Sequence, residues 1–525
     1  MFNLIDEISV QIKRDLKIPA RHIEEVRDLP VSEIVTNSIP AIRLFIVGVH
    51  ALTFDNDWKQ SMEYLERSVE EDPSFASAYH VLFEIYWMSN MSEKREQTLE
   101  LLMKYLYKLP ENEQYNVKAM YHALKGNQEK QLAILKMWSD LYPDDIGPHE
   151  QLAEHYWRKN QLDKTISEYK RILELDPEQY QCIIRIGHLY EQKGEFETAL
   201  KYYEQYAELF PDECESFYII GDLYLTMGDY PRAKSFYEKA LAIEPGEISI
   251  MVELAKTEYR SGDFRKAFEQ FEDALKLCKT SEDRENVYGE FCSLYILRGQ
   301  MSKSLEYLHL WLDEKEKIDP PLQVLAYKLF YLDLYIKAGK KEDALRIIKT
   351  IESQLEPPYD KYIPLGYLML YITLGDTVNI VKAEKALDEY EQAYNKGQLP
   401  YSSIAYFMIY HGKINEMKGK YEEATLNYKD HLKNNPTWLR VNIDIGRCYR
   451  KLKQLKKAEA ALKNCIKVLP FNPKAQYEIA LVYADMGDKE KALVHLKIAL
   501  EIWKDADPVY KPAQEARKKL EEWGG

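Results

Sequence analysis

Residues 180–213 read YQCIIRIGHLYEQKGEFETALKYYEQYAELFPDE, and residues 214–247 read CESFYIIGDLYLTMGDYPRAKSFYEKALAIEPGE. Laid over one another, these two 34-residue stretches agree wherever a pair of packed helices needs a particular side chain. Gly187 falls on Gly221 and Ala199 on Ala233, small residues that let two helices approach closely where they cross. Tyr190 and Tyr224, with Tyr203 and Tyr237, fill the space that the small residues leave. Gly194 and Gly228 supply the left-handed residue that closes the first helix. Pro211 and Pro245 stop the second.

The pattern extends in both directions from this stretch. Small residues recur at Ala153, Gly187, Gly221 and Ala255, and again at Gly412, Gly446 and Ala480. Twelve residues behind them run Ala199, Ala233 and Ala267, then Ala424, Ala458 and Ala492. Prolines close the units at Pro177, Pro211, Pro245, Pro436 and Pro470. A fixed period of this size marks stacked supersecondary units, each burying its apolar face on its neighbours.

The order of small residue, Tyr, Gly, Ala, aromatic, Ala and Pro resembles the tetratricopeptide repeat family. The likeness is strong over 146–281 and 405–506 and weaker in units at 42–75, 76–110 and 112–145. It implies an all-α fold, an α-solenoid wound as a right-handed superhelix of about thirteen helix pairs, with a polar C-terminal capping helix at 507–525. Trp503 and Leu520 are the candidates for that helix's buried contacts. Regular arrays are expected at 41–281 and 401–506, joined by diverged pairs at 282–400, where Pro320-Pro321, Pro357-Pro358 and Pro400 lengthen the connections. That middle is expected to alter the superhelical path; plain divergence of its repeats is favoured over a hinge. In the N-terminal segment 1–40, Leu4, Ile5, Ile8, Ile12 and Leu16 lie on one helical face that ends near Pro19. The following junction resembles the one that leads from a TolB-like domain into repeats in bacterial multidomain signalling proteins.

Composition narrows the function. A net charge of −15 argues against a general nucleic-acid surface, which needs a broad basic face. No basic leader precedes an apolar run, and the most apolar stretches, 39–54 and 362–374, are too short to span a bilayer. Membrane insertion is not expected. Cytoplasmic placement is, unless an upstream anchored domain exports the chain. The six cysteines lie far apart without a CxxC, so buried free thiols are the expectation. No phosphate-binding loop, nucleophile elbow, dinucleotide fingerprint or kinase loop occurs. His149-Glu150 and Glu154-His155 share a helix, but Ala153 stands where a zinc motif needs its second histidine, so both are read as surface residues. No catalytic residue, metal or cofactor is assigned, and the chain is read as non-enzymatic.

The resemblance places the first helix of each pair along the concave groove. Over 439–472 this gives Arg440, Ile443, Arg447, Arg450 and Lys451, with Lys413 from the unit before and Lys474 and Tyr477 from the unit after. Between 440 and 474 there are ten basic residues against Asp444 and Glu459, a positive block in an acidic protein. Lys413, Arg440, Arg447, Arg450, Lys474 and Tyr477 are therefore the candidate peptide-binding residues. The expected ligand is an acidic segment or a C-terminal carboxylate, which matches the forked donors of arginine. A charged face offset by acidic neighbours in three dimensions is the competing reading. Further along the groove, Gln181, Ile184, Arg185, His188 and Glu191, then Glu215, Tyr218, Ile219, Asp222 and Leu225, suit an extended peptide or a partner helix. The function expected is a protein-binding scaffold in bacterial signalling or assembly. The alternatives are a peptide sensor whose coil compacts on its ligand, or an accessory to a separately encoded enzyme.

Overall fold

The computed structural model describes residues 36–524 apart from 90, 376, 397 and 400–403; the helix expected at Leu4–Leu16 lies outside the described residues. Each pair is built on the crossing that the small residues permit. Gly221, on the helix Cys214–Met227, crosses Tyr230–Ile243 where a Cβ would stand 2.7 Å from the Tyr237 ring. Gly412 against Tyr428 and Gly446 against Leu462 leave 2.5 Å in the same sense. The alanines of both combs, from Ala153 to Ala492, are completely buried.

Among the described residues, thirteen successive pairs run from Ile39–Thr53 to Lys489–Ile502, followed by the last helix, Lys511–Trp523. The first helix of the ninth pair is broken into Pro321–Leu329 and Leu332–Lys337. The pairs fall into two compact units, residues 1–182 and 183–525.

The first unit carries four described pairs, ending at Leu162–Leu175. Its core is a chain of local clusters, among them one around Leu65, Phe75 and Leu82 and another around Leu135, Trp138 and Tyr156. His149 and His155 depart from the surface reading. His149 is half-buried with its ring 2.7 Å from Glu168, and His155 is buried. Both serve the packing of adjacent helices.

The second unit folds back on itself. The Tyr230 hydroxyl donates to the Val468 carbonyl, 238 residues along the chain, seven repeat lengths away. Three turn glycines mark the seam. A Cβ on Gly228 would stand 2.9 Å from Val468 Cα, one on Gly262 2.7 Å from the Phe471 ring, and one on Gly299 2.7 Å from Tyr510 and 2.8 Å from Ala506. Gly126, Gly419 and Gly487 occupy the same kind of turn and have nothing within 4 Å. At Asn56, Asn160 and Lys453 the positive φ is taken without glycine. Along the seam, then, glycine provides both the left-handed turn and the close approach of a distant repeat.

The diverged middle is where the last repeat docks. The Asp507 amide donates to the Gly299 carbonyl at 3.0 Å, and the Ser302 amide to Asp507 at 2.7 Å. Arg298 pairs with Asp505 at 2.7 Å. One cluster joins Leu305, Leu308, Leu312 and Leu334 to Tyr477, Trp503 and Tyr510, with Leu520 packed against it. The last helix thus covers the end of the array, with the Arg517 guanidinium donating to the Trp503 carbonyl at 3.1 Å.

The seam makes a paired prediction. Gly299→Ala and Gly487→Ala both force alanine into a left-handed turn, at about 1–2 kcal/mol each. Gly299→Ala also drives a methyl into Tyr510 and Ala506, adding about 1–3 kcal/mol of overpacking. Denaturation midpoints are expected to fall clearly further for Gly299→Ala; equal shifts would show that the seam is not tightly packed.

Candidate functional site

The first helices of the second unit carry charged residues at helical spacing, and these meet across helices. On Ile248–Ser261, Lys256 pairs with Glu253 at 2.6 Å and reaches Glu290 of the next pair at 3.7 Å. On Val441–Lys451, Arg447 donates to Glu416 at 3.0 Å, pairs closely with Asp444, and lies 3.8 Å from Glu478. Arg450 lies 3.6 Å from both Glu478 and Asp485. Lys413 lies 3.7 Å from Asp444.

The competing reading therefore holds for the two central arginines. Glu416, Glu478 and Asp485 come from adjoining repeats and neutralise a block that is basic only when read along the chain. Burial opposes the charge on Arg447, but Asp444 and Glu416 outweigh it and hold the guanidinium protonated. Burial also acts on Asp444, yet Lys413 and Arg447 keep its carboxyl below the usual range.

The remaining expected residues divide. Lys474 has no carboxylate within 4 Å among the described residues and keeps exposed surface. Burial, with Lys337 and Lys413 nearby, brings its ammonium down to about 8, against the pull of Asp444 and Asp333. Lys337 and Asp333 belong to the distant helix Leu332–Lys337, so charges from a separate repeat act on this lysine. Arg440 is exposed, also without an ion pair among the described residues, and lines a cavity with Arg260. Tyr477 is elsewhere: it is buried with its ring 6.1 Å from that of Trp503, so it fills core and does not line the groove.

Buried tyrosines of the second helices reach the same charged face. Tyr203 donates to Glu191 at 3.0 Å, Tyr237 to Asp222 at 2.5 Å and Tyr428 to Glu416 at 3.2 Å. The residue that fills the helix crossing thus also anchors a groove carboxylate. Asp222 shows the consequence. Burial, reinforced by Glu253, raises its carboxyl to about 6, although Tyr237 and Tyr218 donate to it. The folded protein binds this proton more tightly than the unfolded chain, so stability from this site falls as pH rises from about 4 to about 6. Asp222→Asn keeps an acceptor for Tyr237 and removes the charge. It is expected to stabilise the protein at pH 7 by about 1–3 kcal/mol, with the gain vanishing below about pH 4, as read from melting curves across pH.

Among the described residues no group of His, Cys, Asp and Glu is placed to hold a metal ion, and no helix is long and apolar enough to cross a membrane. The six cysteines are free thiols. Burial raises Cys214 and Cys278 to about 11, which leaves them protonated and poorly nucleophilic at neutral pH.

Helix pairs stacked at a 34-residue period, their two helices meeting at a small-residue crossing, define an α-helical repeat protein. Tetratricopeptide repeat profiles match residues 179–244 and 439–471. The chain therefore carries tetratricopeptide repeats in both of these stretches, within an array whose architecture is that of a protein-interaction scaffold. No curated protein matches it. Among solved structures, MamA 41-end from Desulfovibrio magneticus RS-1 is 20% identical over 32% of this chain and 94% of its own, with a TM-score of 0.28. The APC/C hetero-tetramer Cut9-Hcn1 is 14% identical over 93% of this chain and 98% of its own, with a TM-score of 0.33. Superpositions this loose say nothing of function.

Proposed function

We propose that the second unit holds an acidic segment of a partner protein against its charged inner face, with Lys474 and Lys413 receiving the carboxylates, as a scaffold in bacterial signalling or assembly. One observation carries this reading: Lys474 is a cation without an ion pair on a face where Lys256, Arg447 and Arg450 are all paired. Lys337 and Lys413 add to the positive potential around it, so a carboxylate from outside gains by meeting it.

The test is binding of a fluorescent Glu/Asp-rich peptide to the full chain, followed by anisotropy. Lys474→Glu is expected to weaken binding by about tenfold or more, the scale of one charge-assisted hydrogen bond. Wild-type binding is expected to fall as pH rises through about 8, where Lys474 loses its proton. Binding unchanged by both the substitution and the pH would remove Lys474 from the site.

A further inference from the structure

A second place in this unit brings together arginines without carboxylate partners, and it lies at the seam. A cavity of about 560 Å³ opens between the ends of the helices Cys214–Met227 and Ile248–Ser261 and the start of Val441–Lys451. Leu225, Trp438, Val441, Val468 and Leu469 give it an apolar wall. Arg260 and Arg440 enter that wall from repeats 180 positions apart. Among the described residues neither arginine has a carboxylate within 4 Å, and the Arg260 Nε is buried without a hydrogen-bond partner. Glu253 and Glu290 act on these arginines only from beyond 4 Å, and both also pair with Lys256, at 2.6 and 3.7 Å. Tyr259 and Tyr230 lie near the Arg260 guanidinium.

A buried guanidinium nitrogen without an acceptor is costly to leave unmatched. Two guanidinium forks can grip a carboxylate through paired hydrogen bonds. The volume lies in the range of small-ligand sites, which combine apolar walls with a few convergent polar groups. Trp438 is set in place by edge contacts with His431 and Tyr406, at 4.9 and 5.5 Å between ring centres, so the wall is pre-formed.

We propose that the seam cavity binds a carboxylate joined to an apolar group, with Arg260 and Arg440 taking the anion and Trp438, Leu225 and Val468 the apolar part. The site exists only because the two ends of the second unit meet, so its ligand bridges the seam. A free small acid and the last residue of a protein chain share this chemistry.

Calorimetry on the full chain separates them, with N-acetyl-phenylalanine, the peptide acetyl-Gly-Ser-Gly-Ser-Phe as free acid, and the same peptide as its amide. Both free acids are expected to bind, and the amide about tenfold more weakly or worse. A peptide acid that binds much more tightly than N-acetyl-phenylalanine identifies a chain terminus; equal affinities identify a small acid. Arg440→Gln, an exposed change that leaves the core intact, is expected to weaken the acids by about tenfold. Arg260→Gln is expected to do the same with the melting temperature checked alongside. Lys474→Glu is expected to leave these affinities unchanged, which keeps this site distinct from the acidic-segment site above. Equal binding of acid and amide, no binding of either acid at millimolar concentration, or indifference to Arg440→Gln would each overturn the proposal.

Discussion

Trp503→Ala is expected to destabilise the second unit by about 3–5 kcal/mol, the range for emptying a large aromatic site in a packed core. Trp503 is completely buried, and its ring makes edge contacts with Tyr477 and Tyr510 at 6.1 and 5.8 Å between centres. Its indole N–H donates to the Leu297 carbonyl at 3.2 Å, from a repeat 206 positions earlier. One side chain therefore fills the last repeat, seats the final helix and bonds the diverged middle. In an open solenoid a lost core residue weakens its own repeat and the neighbours on either side. Here the damage is expected to spread to 297–302, releasing the Arg298–Asp505 pair and the Asp507–Gly299 bond. Hydrogen exchange reads this directly: faster exchange at both 297–302 and 503–510 supports the seam, whereas change confined to 489–523 would reduce Trp503 to a local role. Trp503→Phe keeps most of the ring and loses the bond to Leu297, and is expected to cost only about 1–2 kcal/mol.

The repeat architecture was legible in the sequence because its causes are local. Gly187 and Tyr203, or Gly221 and Tyr237, meet within a single unit, so the spacing of small and aromatic residues states the contact outright. The position of the last helix followed for the same reason, from an array that must cover its apolar end. The seam was not legible. Gly228, Gly262 and Gly299 have the same turn signature as Gly419 and Gly487, and nothing local says which of them a distant repeat overlies. The basic block misled for a related reason. Charge counted along 440–474 omits Glu416, Glu478 and Asp485, which lie outside that window in sequence and pack beside it in space. Arg260 was missed altogether because it becomes a partner of Arg440 only when the unit closes. What the period could supply was the register of inward positions; which charges survive unpaired there is a three-dimensional result.

Arg447→Ala follows from that result and is expected to destabilise the protein by about 3–5 kcal/mol, as when one member of a buried ionic network is removed. Asp444, Glu416 and Glu478 converge on this guanidinium. Without it, Lys413 remains 3.7 Å from Asp444 and Arg450 remains 3.6 Å from Glu478, while Glu416 loses its cation. Glu478 is already disfavoured as an anion: burial raises its carboxyl, and Arg447 and Arg450 are what pull it back. The variant's orphaned carboxyls are then expected to hold protons to higher pH in the folded state than in the unfolded one. Its deficit against wild type should therefore shrink as pH falls from 7 towards about 5. A purely steric role for Arg447 predicts a deficit that does not depend on pH. The variant Arg447→Met with Asp444→Asn and Glu416→Gln removes the charges together and keeps most of the volume. It is expected to recover most of the loss, since a buried ionic cluster replaced by neutral groups of similar shape is commonly near neutral in stability. Recovery would show that the arginine neutralises its own neighbours.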